Sequence, residues 1–334
     1  MTRQFLLILG MLVISIGLKA QDPIFSQYYA APLQINPAFA GNAYAPRFAF
    51  NYRNQWPSLN AYVTYSASYD QFVPHLNSGF GILLLTDDAG DGLITTNKVG
   101  GVFGYRLQLT RSWSMRLGVE VSGVQTKYNW DQFIFFDQID EKLGPFSQGG
   151  VPFPTEEQAP EDPNNFYFDA SAGLMVYNRI FYGGFSIKHL NTPEQAILGI
   201  NNNLNAGLPM RLSFHAGAEI QIIEGNKRRP SAFISPNLLY VKQGDFGQLN
   251  VGAYAQYGAF FLGGWFRQAQ SNSDAVIALV GVEQGIFKIG YSYDLTISGL
   301  SGFSGGSHEI SLLINFDANR PRGVDYNDCF KMFR

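Results

Sequence analysis

"FKIGYSYDLTISGLSGFSGGSHEISLLINF", residues 287–316, is two alternating stretches joined by a glycine- and serine-rich loop. Successive strand side chains point to opposite faces. Phe287, Ile289, Tyr291, Tyr293 and Leu295 therefore share one side of the first half, and Lys288, Gly290, Ser292 and Asp294 share the other. Soluble sandwiches and membrane barrels both use this pattern, so the rest of the chain has to separate them.

The same division recurs elsewhere. Phe48, Phe50 and Tyr52 oppose Arg47, Asn51 and Arg53, and Met115, Leu117, Val119 and Val121 oppose Arg116, Gly118, Glu120 and Ser122. Phe181, Phe185 and Ile187 oppose Tyr182, Ser186 and Lys188, while Leu212, Phe214, Ala216 and Ile220 oppose Arg211, Ser213, His215 and Glu219. A slip of one residue would put Lys288 in lipid at a cost of up to about 2–4 kcal/mol, which fixes the register. The stretches 78–87 and 274–283 are apolar on both faces, as expected where a strand packs against something inside a barrel.

Composition favours the membrane. Of 334 residues, 46% are hydrophobic and 15% aromatic, and only 15% are charged, against ~25% in ordinary globular domains. An outer-membrane barrel, half facing lipid and half facing water, has such a balance. The net charge of −3 and the short basic run Lys227-Arg228-Arg229 give no basis for nucleic-acid binding. Residues 1–20 read as a cleaved secretory signal: Arg3 is the positive start, Phe5 to Leu18 the apolar stretch, and Ala20 the cleavage residue, although Leu18 stands where a small residue is preferred. Cys329 is the sole cysteine, which excludes an intrachain disulfide and a thiolate metal cluster.

After residue 20 no apolar run is long enough for a spanning helix, so a membrane form must be a closed sheet. Strands are predicted near 47–54, 60–70, 78–87, 95–109, 113–127, 166–177, 180–190, 210–223, 231–242, 246–257, 259–268, 274–283, 285–296 and 307–316. That even number suits an up-and-down antiparallel transmembrane β-barrel of about 14 strands. Alternate connections are mostly tight (110–112, 178–179, 224–230, Gly258, Gln284) or long (55–59, 88–93, 128–165, 191–209, 271–273, 298–306), as short periplasmic turns and long surface loops require. Both termini are then expected in the periplasm. The resulting organisation is a signal at 1–20, an N-terminal periplasmic segment at 21–46, a barrel at 47–316 and a C-terminal periplasmic tail at 317–334. The aromatic, proline-punctuated stretch 21–41 reads equally as a lumen plug and as closure of the barrel base; the tail reads as a docking element or an inert extension.

Inward polar faces gather Arg47, Arg53, Arg106, Arg116, Lys188, Arg211 and Lys288 with Asp70, Glu120, Asp169, Glu219, Asp294 and Glu309. Charges so nearly balanced suit pairing across a narrow or occluded lumen better than an ion-selective pore. No catalytic constellation emerges. His75 sits in a turn, His189 and His308 at strand ends and His215 on a polar face, while adjacent Ser307, His308 and Glu309 alternate faces and cannot form a relay. Asp87, Asp88 and Asp91 form a weak metal candidate, since aspartate and glycine also simply build turns. No cofactor-binding loop is present.

Several motifs occur in a fixed order: "QDPIFSQYYAAPLQINPAFAG" (21–41), "YRNQWPSL" (52–59), "YVTYSASYDQ" (62–71), "DDAGDGLI" (87–94), "WDQFIFFDQID" (130–140), "IKHLNTP" (187–193), "LPMRLSFHAGAEI" (208–220), "ISPNLLY" (234–240) and the stretch quoted first. Through them the chain resembles the PorP/SprF family of type IX secretion system outer-membrane proteins. The resemblance implies a non-enzymatic barrel that supports secretion or surface attachment of cargo carrying a C-terminal sorting domain, such as a gliding adhesin. Partners implied are that cargo domain, the secretion machinery and outer-membrane lipid. Trp56 and Pro57 at the first surface turn, Asp294 in "SYDLT", and His308 and Glu309 in "SHEI" are candidate partner or register positions. The rivals are a solute-transport barrel, whether porin or hydrophobic-compound transporter, and an outer-membrane hydrolase.

Overall fold

Each alternating stretch becomes a strand of one closed antiparallel sheet in the computed structural model, which describes residues 22–140, 142–147, 149–194, 207–225, 230–270, 272–316 and 329–333. The expected signal, residues 195–206 of the fourth long loop, the 226–229 turn and residues 317–328 of the expected tail lie outside the described residues. The strands are β1 (Arg47–Gln55), β2 (Tyr62–Val73), β3 (Ser78–Ala89), β4 (Ile94–Gln108), β5 (Ser114–Tyr128), β6 (Asn164–Tyr177), β7 (Phe181–Lys188) and β8 (Arg211–Ala218). They continue with β9 (Ile220–Ile223), β10 (Ala232–Gln243), β11 (Phe246–Tyr257), β12 (Phe260–Ala269), β13 (Ser273–Gln284), β14 (Phe287–Thr296) and β15 (Ser307–Asn315).

Neighbours in sequence are neighbours in the sheet, and β1 pairs with β15 from Arg47↔Asn315 to Gln55↔Ser307, closing the ring. β8 and β9 both pair with β10 and form one stave, so the barrel has 14 strands. The interruption falls at Glu219; Pro236, which has no N–H to donate, stands on β10 between the residues paired with Gly217 and Ile220. Among the described residues no helix is long and apolar enough to cross a membrane. Connections of few residues alternate with long ones, although Gln243 and Phe246 are joined by a tight hairpin at the long-loop end.

Strand parity sorts the side chains as the sequence requires. Phe287, Ile289, Tyr291 and Leu295 are exposed on the outside, while Lys288, Ser292 and Asp294 are buried inside. On β5, Val121 is 63% exposed and its neighbours Glu120 and Ser122 are buried. An apolar exterior with a polar interior is the arrangement a barrel needs in lipid.

The interior is filled. Residues 22–46 run the length of the lumen before entering β1, and include a four-residue helix at Pro32–Ile35 and a 3-10 turn at Pro37–Phe39. Both begin with proline, which suits a first helical position because its missing N–H would have no partner there. Leu33, Tyr29 and Phe39 of this segment join Leu83 of β3 and Ile277 and Leu279 of β13 in one buried apolar cluster. The two strands that are apolar on both faces thus meet the segment. Although β1 starts and β15 ends at the short-turn end, Asp22 lies at the opposite mouth, bonded to the ends of β7 and β10. The expectation that both ends of the chain sit on the short-turn side is therefore corrected. Cys329, Phe330 and Phe333 of the tail, read as a docking element or an inert extension, are buried in the same cluster.

Candidate functional site

Two consecutive amides near the start of the segment bind one carboxylate. Ser26 N–H donates to Glu309 Oε2 and Gln27 N–H to Glu309 Oε1, both at 2.8 Å. Arg53 reaches Glu309 at 3.1 Å and Asp294 at 3.0 Å, and Arg267 reaches Asp294 at 2.9 Å. The Ser26 hydroxyl donates to Asp294 at 2.6 Å and accepts from Arg53 at 2.7 Å. Gln27 completes the clamp through Ser292, Ser311 and the Glu309 carbonyl. Buried charges paired and bonded in this way avoid most of the desolvation penalty of isolated ones.

A second cluster holds the Asp22 end. His189 places Nε2 2.8 Å from Asp22 and Nδ1 3.1 Å from Asp169, so both ring nitrogens face carboxylates. Lys98 bridges Asp169 at 3.4 Å and Glu120 at 2.6 Å, and Lys188 lies 3.5 Å from Glu120. Burial alone would lower the His189 pKa, but Asp22 and Asp169 raise it to about 9. Against its own burial, Asp22 is held well below the usual carboxylate range by His189 and Arg211.

Between these clusters and the other mouth, "INPAF" lies directly on the wall. Asn36 Oδ1 accepts from Ala38 N–H at 2.9 Å, while its amide donates to the carbonyls of Leu174 and Phe185 at 3.1 and 3.2 Å. The approach is possible only because Gly118 and Gly173 have no side chain: a Cβ would overlap Pro37–Ala38 at the first and Asn36 at the second. His215 is 3.0 Å from the Asn36 amide and stacked on Phe39 with centroids 5.2 Å apart. Near the short-turn end, Arg47 pairs with Asp70 at 2.8 Å, Gly41 N–H donates to Asp70 at 2.8 Å, and Arg116 donates to the Ala40 carbonyl at 3.0 Å.

Arg47, Arg53, Arg116, Glu120, Asp169, Lys188, Arg211, Glu219 and Lys288 are all buried facing the lumen. Arg106 is half-buried, hydrogen-bonded to the Tyr44 hydroxyl. Of the candidate partner or register positions, Asp294 and Glu309 are buried facing the lumen, where Ser26 and Gln27 bond to them. His308 lies on the opposite face beside Tyr291, whose hydroxyl is 2.8 Å from its Nδ1. Trp56 and Pro57 lie at the long-loop mouth, where Trp56 N–H donates to the Gly306 carbonyl at 2.9 Å and ties the first loop to the last.

Two aspartates of the 86–92 turn, read as a weak metal candidate or as turn builders, have hydrogen-bond partners close by. Asp87 accepts from the Thr64 hydroxyl at 2.6 Å and Asp88 from Gly92 N–H at 2.7 Å, and among the described residues no cluster of His, Cys, Asp or Glu could hold a metal ion. Lys98, Arg267, Asp22 and His189 are lumen contacts that sequence reasoning missed. Counting back in twos from Arg106 on β4 would have placed Lys98 inside.

The family model for type IX secretion system membrane protein PorP/SprF matches residues 17–314, covering the lumen segment and almost the whole barrel. The chain belongs to the PorP/SprF family. Its barrel is similar in fold to the Ralstonia pickettii toluene transporter TbuX, at 10% identity over 85% of this chain and 92% of that one, with a TM-score of 0.46. The Pseudomonas putida toluene transporter TodX is similar at 10% identity over 89% and 94%, with a TM-score of 0.43. No curated protein matches the chain in sequence. As a PorP/SprF barrel, the protein is an outer-membrane component associated with the type IX secretion machinery.

Proposed function

We propose that this PorP/SprF barrel supports secretion and surface attachment of cargo proteins carrying a C-terminal sorting domain, and that cargo engages the long-loop face. The observation that carries the choice of face is the filled lumen. A cargo segment inside the barrel would have to displace Ser26 and Gln27 from Glu309 and Asp294, whereas the residues between β5 and β6 are presented outward, with Phe136 92% exposed. The same filling weighs against solute transport as the main activity, and the bonds of His215 with Asn36 and of His308 with Tyr291 weigh against hydrolysis. Export through a cleaved signal at residues 1–20 is part of this reading.

The test is recovery of cargo from cells. Cargo is expected to copurify with the full chain and not with a variant lacking residues 129–163 whose barrel still folds, as judged by heat-modifiable gel migration. Equal recovery from both would refute the surface route. Mass spectrometry of the mature N-terminus is expected to begin at Gln21.

A further inference from the structure

Cys329–Phe333 occupies a site built from the barrel wall and the N-terminal segment at the short-turn mouth. Phe330 lies among Tyr177, Tyr182 and Phe39, with ring centroids 4.7, 6.0 and 6.0 Å away. Phe333 stacks on Phe39 at 4.7 Å and meets Tyr182 edge-on at 5.4 Å. Between the two rings, the Lys331 ammonium is 3.1 Å from Glu219 and 5.6 Å above the Phe233 ring. The backbone is read as well: Lys331 N–H donates to Glu219 at 3.0 Å, Lys288 donates to the Lys331 carbonyl at 3.4 Å, and Arg47 donates to the Phe333 carbonyl.

We propose that this mouth is a peptide-binding site, filled here by the chain's own end, which accepts in its place a partner peptide of the pattern aromatic–lysine–any–aromatic entering from the short-turn side. Three observations point to a ligand site rather than incidental packing. The recognising groups come from the adjacent staves β6, β7, β8–β9 and β10 and, away from these in the ring, from Lys288 of β14 and Arg47 of β1, and the β1–β15 pairing that closes the ring needs none of these contacts. Glu219 sits where its stave is interrupted, which aims a buried carboxylate at the lysine position. Within the occupant the Lys331 side chain is 53% exposed at the mouth, while Phe330 and Phe333 on either side of it are buried. The tail also lies beyond the residues matched by the family model, which end at 314.

An occupant carried on the same chain binds intramolecularly, so an incoming peptide has to be tighter or more abundant to replace it. The aromatic slots and the carboxylate set the specificity, and the backbone contacts add affinity without it.

The experiment uses the full chain with a protease site inserted between residues 320 and 321, folded in detergent and then cut. Uptake of a fluorescein-labelled, reduced peptide of residues 325–334 is followed by anisotropy. We expect saturable binding to the cut barrel and at least tenfold weaker binding to the uncut one. The Phe330→Ala and Lys331→Glu peptides should each bind at least tenfold more weakly, with the second recovered by Glu219→Lys in the wall. A severed tail that stays bound through gel filtration but exchanges with labelled peptide supports the proposal equally. Absence of uptake, or equal binding of a scrambled peptide, overturns it. Heat-modifiable migration of each variant separates loss of the site from loss of the fold.

Discussion

Replacing Glu309 with glutamine should loosen the N-terminal segment while leaving the wall closed. Two backbone N–H groups and the Arg53 guanidinium converge on this carboxylate, at 2.8, 2.8 and 3.1 Å. Hydrogen bonds to a charged group contribute about 1.5–3 kcal/mol each, and deleting one member of a buried ion pair costs about 3–5 kcal/mol. Glutamine keeps the shape and one acceptor oxygen but turns an NH2 group toward a donor. Arg53 retains Asp294 at 3.0 Å, which places the loss near the lower figure. A loss of about 3 kcal/mol raises the population of the released segment roughly 100-fold. Hydrogen exchange read by mass spectrometry is the assay: peptides covering residues 22–46 should exchange roughly 100-fold faster, and those of β4 and β5 unchanged. Glu157→Gln, on an exposed loop residue, is the control. If 22–46 exchanges within threefold of the parent, or the strands speed up equally, the idea that this carboxylate anchors the segment fails.

Two further outcomes follow from the same interior. Gly118→Ala should destabilise the folded barrel by about 1–3 kcal/mol through overpacking against Pro37 and Ala38, whereas Gly101→Ala, with open space around it, should melt like the parent; equal melting of the two variants would contradict the close approach. Because folding raises the His189 pKa from 6.5 to about 9, its contribution is full below pH 6.5 and is lost as pH rises through 9. Melting temperature should therefore fall between pH 6.5 and 10, with a smaller fall in His189→Gln; identical profiles for the two proteins would remove His189 from the account.

The wall was legible because its physics is local and periodic. Phe287 to Leu295 against Lys288 to Asp294 states the inside and outside of a strand in nine consecutive letters, and lipid penalises any slip. Leu83 and Ile277, apolar where a polar face was due, even registered that something occupies the lumen. The contents of the lumen were not legible, because contacts such as that of Ser26 with Asp294 join residues 268 positions apart and obey no repeat. The short tail, aromatic only at Tyr326, Phe330 and Phe333, gives no periodic signal either. Parity could turn Asp294 and Glu309 inward, but only the folded chain reveals that their partners are Ser26 and Gln27.

The seam between β1 and β15 joins the beginning of the wall to its end, with residues 22–45 already inside. In a finished ring Tyr28, Tyr29 and Phe39, all buried, would have to enter through one of its mouths. We expect the filling to gather against the open, curling sheet before the final stitch is made, as a ship is set in its bottle before the glass is sealed. On that order of events, wall and contents reach the closing step as a single unit.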